Sequence, residues 1–351
     1  MPAISSPETT EIYREASLSL VVKPQADAAA LSLLKGTIYG TKGVRYRQTN
    51  QEERLRELYN PFFFHLYEEE TLLGVYCLDH RVVEVPWGWV DSFYGRYLAV
   101  TSAAQGRGYG RLLKTQAVAY LFQQIPAPFL VYSFIEARNT RSVAVSQTLQ
   151  FECIARLQSY LFRRLNPKRD TRFRALTKEE ESQLLPSLQD SYQPYAFKTW
   201  TKTQGNFYGL WEANQIVAAV AARRVRWQFR HMLGAGGWFL MHGLRYVPVL
   251  KNLFQPDYAF VALEAVYLKA GFESLLPTLL ESLLVHMKRY TALWQLDERR
   301  TEWTRLPDMG FFSGFQAGVS TQVWVQGKGL SEAQWQQLRQ SPVYVSSFDY
   351  T

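Results

Sequence analysis

Residues 97–126, YLAVTSAAQGRGYGRLLKTQAVAYLFQQIP, constrain the fold more than any other stretch. Tyr97, Leu98, Ala99 and Val100 read as the end of an apolar strand, and residues 105–110, QGRGYG, read as a turn. Leu113, Ala117, Tyr120 and Leu121 then recur on one face at helical spacing. Pro126 and Pro128 stop that helix. Three glycines between a strand and a helix let the backbone take positive φ and let a ligand approach its N–H groups closely. The helix N-terminus adds unpaired donors and about half a positive charge. Together they form an anion site suited to a pyrophosphate, to which Arg107 and Arg111 add charge. No Gly-Lys-Ser/Thr follows, so this is not a Walker loop, and G-x-G-x-G departs from the dinucleotide fingerprint G-x-G-x-x-G.

A chain of 351 residues suggests about two domains. With 47% hydrophobic and 20% charged residues it has the apolar mass for a core. The N-terminus, MPAISSPETTEIYREA, lacks a basic and then apolar run, so no signal peptide is expected. No charge-free apolar run reaches about 18 residues, which argues against a transmembrane helix. Cys77 and Cys153 lie in strand-like segments and read as buried free thiols, with no metal site and a reducing, cytoplasmic location. The net charge is +8, but the basic residues are dispersed. Their one dense run, residues 163–169 with Arg172 and Arg174, reads as a solvated linker, which argues against nucleic acid as a partner. An acidic ligand accounts for part of the excess equally well.

Gln105, Gly108 and Gly110, with Val100 five residues ahead, resemble motif A of the GNAT acyltransferase superfamily. Residues 139–151 resemble its motif B through Asn139, Ser142 and Phe151. Two positions depart from the pattern: Ser146 stands where the family usually has its general-acid tyrosine, and Gln150 replaces a glycine. The resemblance implies a GNAT-like α/β (α+β) fold binding acetyl-CoA as co-substrate through Leu98, Ala99, Val100, residues 105–111 (Gln105, Gly106, Arg107, Gly108, Tyr109, Gly110, Arg111), Asn139 and Ser142. It further implies that the Val100 N–H donates to the developing oxyanion, and that the fourth and fifth strands splay to admit the pantetheine. The activity implied is acyl-CoA-dependent N-acyl transfer, with acetyl from acetyl-CoA as the expected acyl group, onto a small-molecule or peptide amine. Asp91 and Glu136 are the leading candidates for the base, with Glu84, His65 and His80 behind them. Each also reads as an ordinary structural or surface group. Trp87 and Trp89, in residues 84–93, either wall an acceptor pocket or pack in the core. The alternative function is a CoA-binding or phospho-ligand-binding module without turnover.

Strands are expected at 17–22, 61–67, 72–78, 129–135 and 154–162, and helices at 25–34 and 51–59. The second half reads as a diverged copy of the first. Residues 66–73 align with 210–217 at an offset of 144, and 98–134 align with 261–297 without gaps at 163. The difference places an insertion near 226–257, whose apolar segment 233–254 suits either a membrane surface or packing on a partner domain or subunit. The expectation is therefore two tandem mixed β-sheets flanked by helices, an acyl-CoA-binding domain at 1–165 and a degenerate one at 170–351, in an assembly that allows a homodimer. At the offset of 163, Gly106 maps to Lys269, Gly108 to Gly271 and Gly110 to Glu273. The second copy is thus expected to have lost its anion site.

Overall fold

A computed structural model describes residues 4–40, 45–199, 205–231, 257–300 and 320–351. Its strands in chain order are β1 (Thr10–Glu15), β2 (Leu18–Lys23), β3 (Arg45–Gln48), β4 (Asn60–Glu68), β5 (Thr71–Val85), β6 (Gly88–Val100) and β7 (Phe129–Glu136). They continue as β8 (Glu152–Arg163), β9 (Phe173–Ala175), β10 (Asn206–Glu212), β11 (Gln215–His231), β12 (Asp257–Leu268), β13 (Thr291–Asp297) and β14 (Ser320–Lys328). The helices are α1 (Ala28–Gly36), α2 (Gln51–Arg56), α3 (Tyr109–Gln124), α4 (Thr140–Thr148), α5 (Lys178–Ser191), α6 (Leu276–Met287), α7 (Glu332–Gln340) and α8 (Ser347–Tyr350).

Local chemistry sets several boundaries. The Asp27 carboxylate accepts from the Ala30 N–H and starts α1. Thr177 and Glu180 form a reciprocal capping box at α5, as Ser331 and Gln334 do at α7. Leu113, Ala117 and Leu121 of α3 are buried against Phe64, Tyr76, Phe93 and Val131 of the sheet, which is why the apolar stripe read from the sequence faces inward. Leu276, Leu279, Leu280 and Leu283 of α6 do the same against Val217, Val261 and Trp294.

The fourteen described strands form one sheet rather than the two expected. Its path is β1-β2-β4-β5-β6-β7-β14-β8-β13-β12-β11-β10-β9, with β3 paired to β11. The path has matching arms. Antiparallel β4-β5-β6 followed by parallel β7 corresponds to antiparallel β10-β11-β12 followed by parallel β13. The strands that would close each arm are exchanged. β8, expected to close the first half, pairs with β13, while β14 takes the place beside β7. β8 and β14 then pair with each other and fuse the arms. Each ladder satisfies the backbone of two halves at once, and no free edge is left at the centre.

The region read as a loop at 84–93 is instead the tight end of the long β5–β6 hairpin, Val85 pairing with Gly88. Gly88 takes φ +120° there. Trp89 is exposed and Trp87 packs against the apolar cluster of Tyr94 and Tyr132, so the two tryptophans do not wall a common pocket. Segment 233–254 lies outside the described residues, as do Gly310 and Phe311.

Candidate active site

β6 and β7 pair in parallel only from Asp91/Phe129 to Tyr94/Tyr132. Beyond that rung β6 continues to Val100 and β7 to Glu136 without pairing, so a gap opens between them. Two residues set its apex. Gly95 follows the last rung, and a Cβ there would meet the Tyr76 hydroxyl and Ser133 Oγ. Tyr76 therefore crosses β6 where there is no side chain and stands against β7. Tyr97 then adopts φ +57° in a bulge, where Tyr97 and Leu98 of β6 stand opposite the single residue Tyr76 of β5, and turns the strand away from its neighbour. The Thr101 N–H is given to Leu73 O on the β5 side. Because successive peptide groups alternate along a strand, the Val100 N–H points the opposite way, into the gap.

The glycine-rich turn lies at the mouth of this gap. Gly106 and Gly108 take φ +84° and +86°, and nothing lies within 4 Å of a Cβ built on either. Gly108 caps α3. The N–H groups of Gly106, Gly108, Tyr109 and Gly110 have no acceptor among the described residues, whereas Arg111 and Leu112 already donate to Gly108 O. Uncommitted donors at a helix N-terminus thus lie beside the open space at Gly106 and Gly108, a cradle that a side chain would fill and an anion would suit. Gln105 turns back to donate from Nε2 to Val100 O at 3.2 Å, tying the loop to the strand end. Arg107 lies over the Tyr109 ring, 3.8 Å from Glu68, and Arg111 is exposed. Gly110 differs: its backbone is helical and a Cβ would sit 3.8 Å from Val100 Cγ2, an ordinary contact.

The motif B residues have structural partners. Asn139 caps α4 by accepting from Ser142 N–H at 3.2 Å. Ser146 is fully buried, donates to Ser142 O, and accepts from Lys114 Nζ at 2.6 Å. Lys114 was not singled out by sequence reasoning. It sits one turn after Gly110 on α3, 4% exposed, its ammonium 4.4 Å above Phe151. Burial pulls its pKa down to about 8. A lysine beside Leu113, on the stripe facing the core, was the available signal.

Of the candidate bases, the structure brings only Glu136 to the gap. Glu136 ends β7 across from the Leu98–Val100 edge, and its charge acts on Tyr46. Asp91 lies nine residues before Val100 on the same strand, about 30 Å away, and accepts from His80 Nε2 at 2.7 Å. The paired part of the sheet separates Asp91 and His80 from the loop, so neither can take a proton near Val100. Glu84 pairs with buried Lys198 at that same far end. His65 is buried beside Asp27 and Tyr67, and desolvation holds it neutral with a pKa near 4. Among the described residues no group of His, Cys, Asp or Glu side chains is placed to hold a metal ion.

The second arm shows what became of the matching loop. Ala265 takes φ +49° in a bulge against Ala219 and Ala221, the counterpart of Tyr97, and Lys269 N–H bonds Val217 O as Thr101 bonds Leu73. The strand offset is therefore 168 (265 − 97), while Gly108 and Gly271, both at φ +86°, are 163 apart (271 − 108). The gapless offset of 163 therefore does not hold in the strand, and seven residues separate Leu268 from the start of α6 where eight separate Val100 from the start of α3. Its Gly271 N–H is already taken by the Glu273 carboxylate at 3.1 Å.

Residues 33–151 match the sequence model of the Acetyltransferase (GNAT) family. No curated protein matches the chain in sequence. Among solved structures, Saccharomyces cerevisiae N-myristoyltransferase with bound myristoyl-CoA is similar over 92% of this chain and 87% of that one, with 10% identity and a TM-score of 0.60. A GCN5-related N-acetyltransferase from Sphaerobacter thermophilus is similar over 89% and 97%, with 12% identity and a TM-score of 0.50. A GCN5-related N-acetyltransferase from Anabaena variabilis is similar over 88% and 72%, with 9% identity and a TM-score of 0.50. At such identities the likeness is one of fold.

Proposed function

With residues 33–151 a GNAT-family domain, we propose that the chain is an acyl-CoA-dependent N-acyltransferase working at the gap between β6 and β7. The observation that carries this reading is the glycine cradle at residues 106–110, with uncommitted N–H groups at a helix N-terminus beside a splayed strand pair. The cradle and the α3 N-terminus suit the pyrophosphate of an acyl-CoA, and the open edge of β6 suits the amide-bearing pantetheine arm, which a paired sheet would exclude. The Val100 N–H, aimed into the gap, is placed to donate to the oxygen of a thioester carbonyl as negative charge develops on it. Little else is demanded of side chains, because the thioester is already activated and acyl transfer is chiefly a matter of position. The amine nitrogen forms a bond to the acyl carbon, the carbon–sulfur bond breaks, and the amine gives up a proton. Glu136 is the described carboxylate placed to accept that proton, directly or through water.

Acetyl is the acyl group we propose, because the cradle and strand edge read the CoA portion and imply nothing longer. The yeast neighbour holds myristoyl-CoA, so a longer chain is the competing outcome. We propose further that 1–165 and 170–351 are the two units of the chain, and that the second binds no CoA. The test is CoA release from an acyl-CoA series, acetyl to myristoyl, against a mixed amine panel, with thermal shift measured in parallel. Ligand at 100 times its dissociation constant should add about 2.7 kcal/mol of stability. Stabilisation without CoA release from any pair would point to a binding module. Absence of stabilisation by millimolar CoA would overturn the reading.

A further inference from the structure

The acceptor side of the gap holds two buried guanidinium groups without a carboxylate partner. Arg54 of α2 is 1% exposed and Arg96 of β6 is 9% exposed. Among the described residues neither forms an ion pair, whereas nearby Arg81 has both Asp79 and Asp349. Arg54 donates to Phe348 O at 2.8 Å and to Thr351 Oγ1 at 2.9 Å, and Arg96 donates to Phe348 O at 3.3 Å. That leaves Arg54 Nε, Arg96 Nε and Arg96 Nη1 buried with no acceptor, together with the hydroxyls of Tyr97 and Tyr39. These groups face one another: the charges of Tyr97, Arg96 and Arg54 all act on Tyr39. Burial lowers the Arg54 pKa, and proximity to Arg96 lowers it further.

A buried donor without an acceptor costs about 1–3 kcal/mol, and more when charged. Burial disfavours both cations; the Asp349 charge offsets this at Arg96, while at Arg54 the Arg96 charge adds to it. Such an arrangement is kept where an anion completes it. The donors sit where a transfer reaction would need recognition, since Arg96 and Tyr97 lie between the last β6–β7 rung and Val100. Gln48 and Gln51 separate them from a cleft of about 510 Å³ that Lys35, Arg47 and Arg56 also line. Both amide atoms of Gln51 are buried without partners, and Gln48 reaches Thr351 O from the same wall. Glu52 and Glu53 line the cleft too, and Glu52 pairs with both Lys35 and Arg56, so the cleft beside the Arg54–Arg96 pair is polar and of mixed charge.

We propose that the acyl acceptor is an amine that also carries a carboxylate, such as an amino acid or a peptide bearing an acidic group. Arg54 and Arg96 bind its two oxygens, with the Tyr97 hydroxyl adding a donor, and this sets its amine toward the Val100 edge. The inference rests on the acyl-transfer reading for its consequence in turnover, but not for its binding.

The test uses matched pairs of acceptors, a dipeptide and its C-terminal amide, and β-alanine and β-alaninamide, on the full chain saturated with acetyl-CoA. The carboxylate member of each pair is expected to show at least tenfold higher kcat/KM. Tyr97→Phe keeps the ring and removes only a hydroxyl that lies beside Arg54; it is expected to raise KM severalfold for carboxylate acceptors only. Arg96→Gln is expected to raise that KM tenfold or more while leaving the amides unchanged. Thermal shift with the same pairs in the presence of CoA reads binding without turnover, and stabilisation by the carboxylate alone, lost in Arg96→Gln, supports the site even if no acyl group is transferred. Equal binding of carboxylate and amide by the unsubstituted chain overturns the proposal. So does an Arg96→Gln or Tyr97→Phe change that weakens both members alike.

Discussion

Gly108 and Gly110 look equivalent in the sequence but do different work. Gly108 holds φ +86°, where an L-residue costs roughly 1–2 kcal/mol, and its missing side chain leaves the cradle open. Gly108→Ala is expected to destabilise by about 1 kcal/mol and to weaken CoA binding tenfold or more. Gly110→Ala, in helical backbone, is expected to be neutral or slightly stabilising and to keep CoA affinity within a few-fold. Denaturant unfolding and calorimetry on both variants check this, and equal behaviour of the two would contradict it. Lys114 gives a second test. Its folded pKa is near 8 against an ordinary 10.5. Between those values the unfolded chain binds more protons than the folded one, so this group makes stability rise as pH climbs from 8 to 10.5. Below pH 8 the full penalty is present, about 3 kcal/mol at most. Lys114→Met is therefore expected to be more stable than the parent at pH 7, with the difference shrinking toward pH 10. A constant difference across that range would mean that Lys114 is not held neutral-leaning by burial. Ser146→Ala leaves that ammonium without its 2.6 Å acceptor, and its expected effect is on stability, with kcat changed by less than tenfold.

The β–loop–α element occurs twice, and comparing the copies shows what the anion site requires. In the first, eight residues separate Val100 from the start of α3, enough for two glycines at positive φ and an exposed row of N–H groups. In the second, seven residues separate Leu268 from the start of α6, and the Glu273 carboxylate occupies the Gly271 N–H. A carboxylate at a helix N-terminus satisfies the dipole that a phosphate would otherwise meet. Calorimetric titration is expected to give one CoA per chain. A second equivalent that survives Gly108→Glu would show that the shortened loop still binds. The same comparison explains an alignment error. The apolar residues of the two helices match at an offset of 163 and the bulged strands at 168, and an apolar pattern of low complexity hides the difference.

At the scale of the whole molecule, the exchange of β8 and β14 makes the two halves depend on each other. In the intact chain β8 lies between β14 and β13, and β14 lies between β7 and β8. Cutting at 165 leaves the first half with β8 but without either neighbour, and with β7 exposed at an edge. Fragments 1–165 and 170–351 are expected to be poorly soluble alone and to copurify when coexpressed under separate affinity tags. A cooperative, monomeric melt of 1–165 alone at the parent Tm would show that the exchange contributes little.

The sequence by itself determined the part of the molecule that rests on neighbouring residues. A strand, three glycines at close spacing and an apolar helical stripe are local features, and they placed the anion cradle at residues 106–110. Proline punctuation likewise marked the end of α3 and the start of β7 between residues 124 and 129. Tertiary structure decided whatever depends on which segments meet. Asp91 and Glu136 are both carboxylates near strand ends, and only the parallel pairing of β6 with β7 shows that Glu136 lies toward the Val100 end while Asp91 lies at the opposite end. The single sheet was also hidden, because β8 and β14 each carry the alternation that would suit either partner, and register is chosen by packing rather than by the strand itself. Arg54, Arg96 and Phe348 stand far apart along the chain. Their meeting beside the bulge at Tyr97 depends on long-range packing of the last ten residues, which carry no local signal of where they dock.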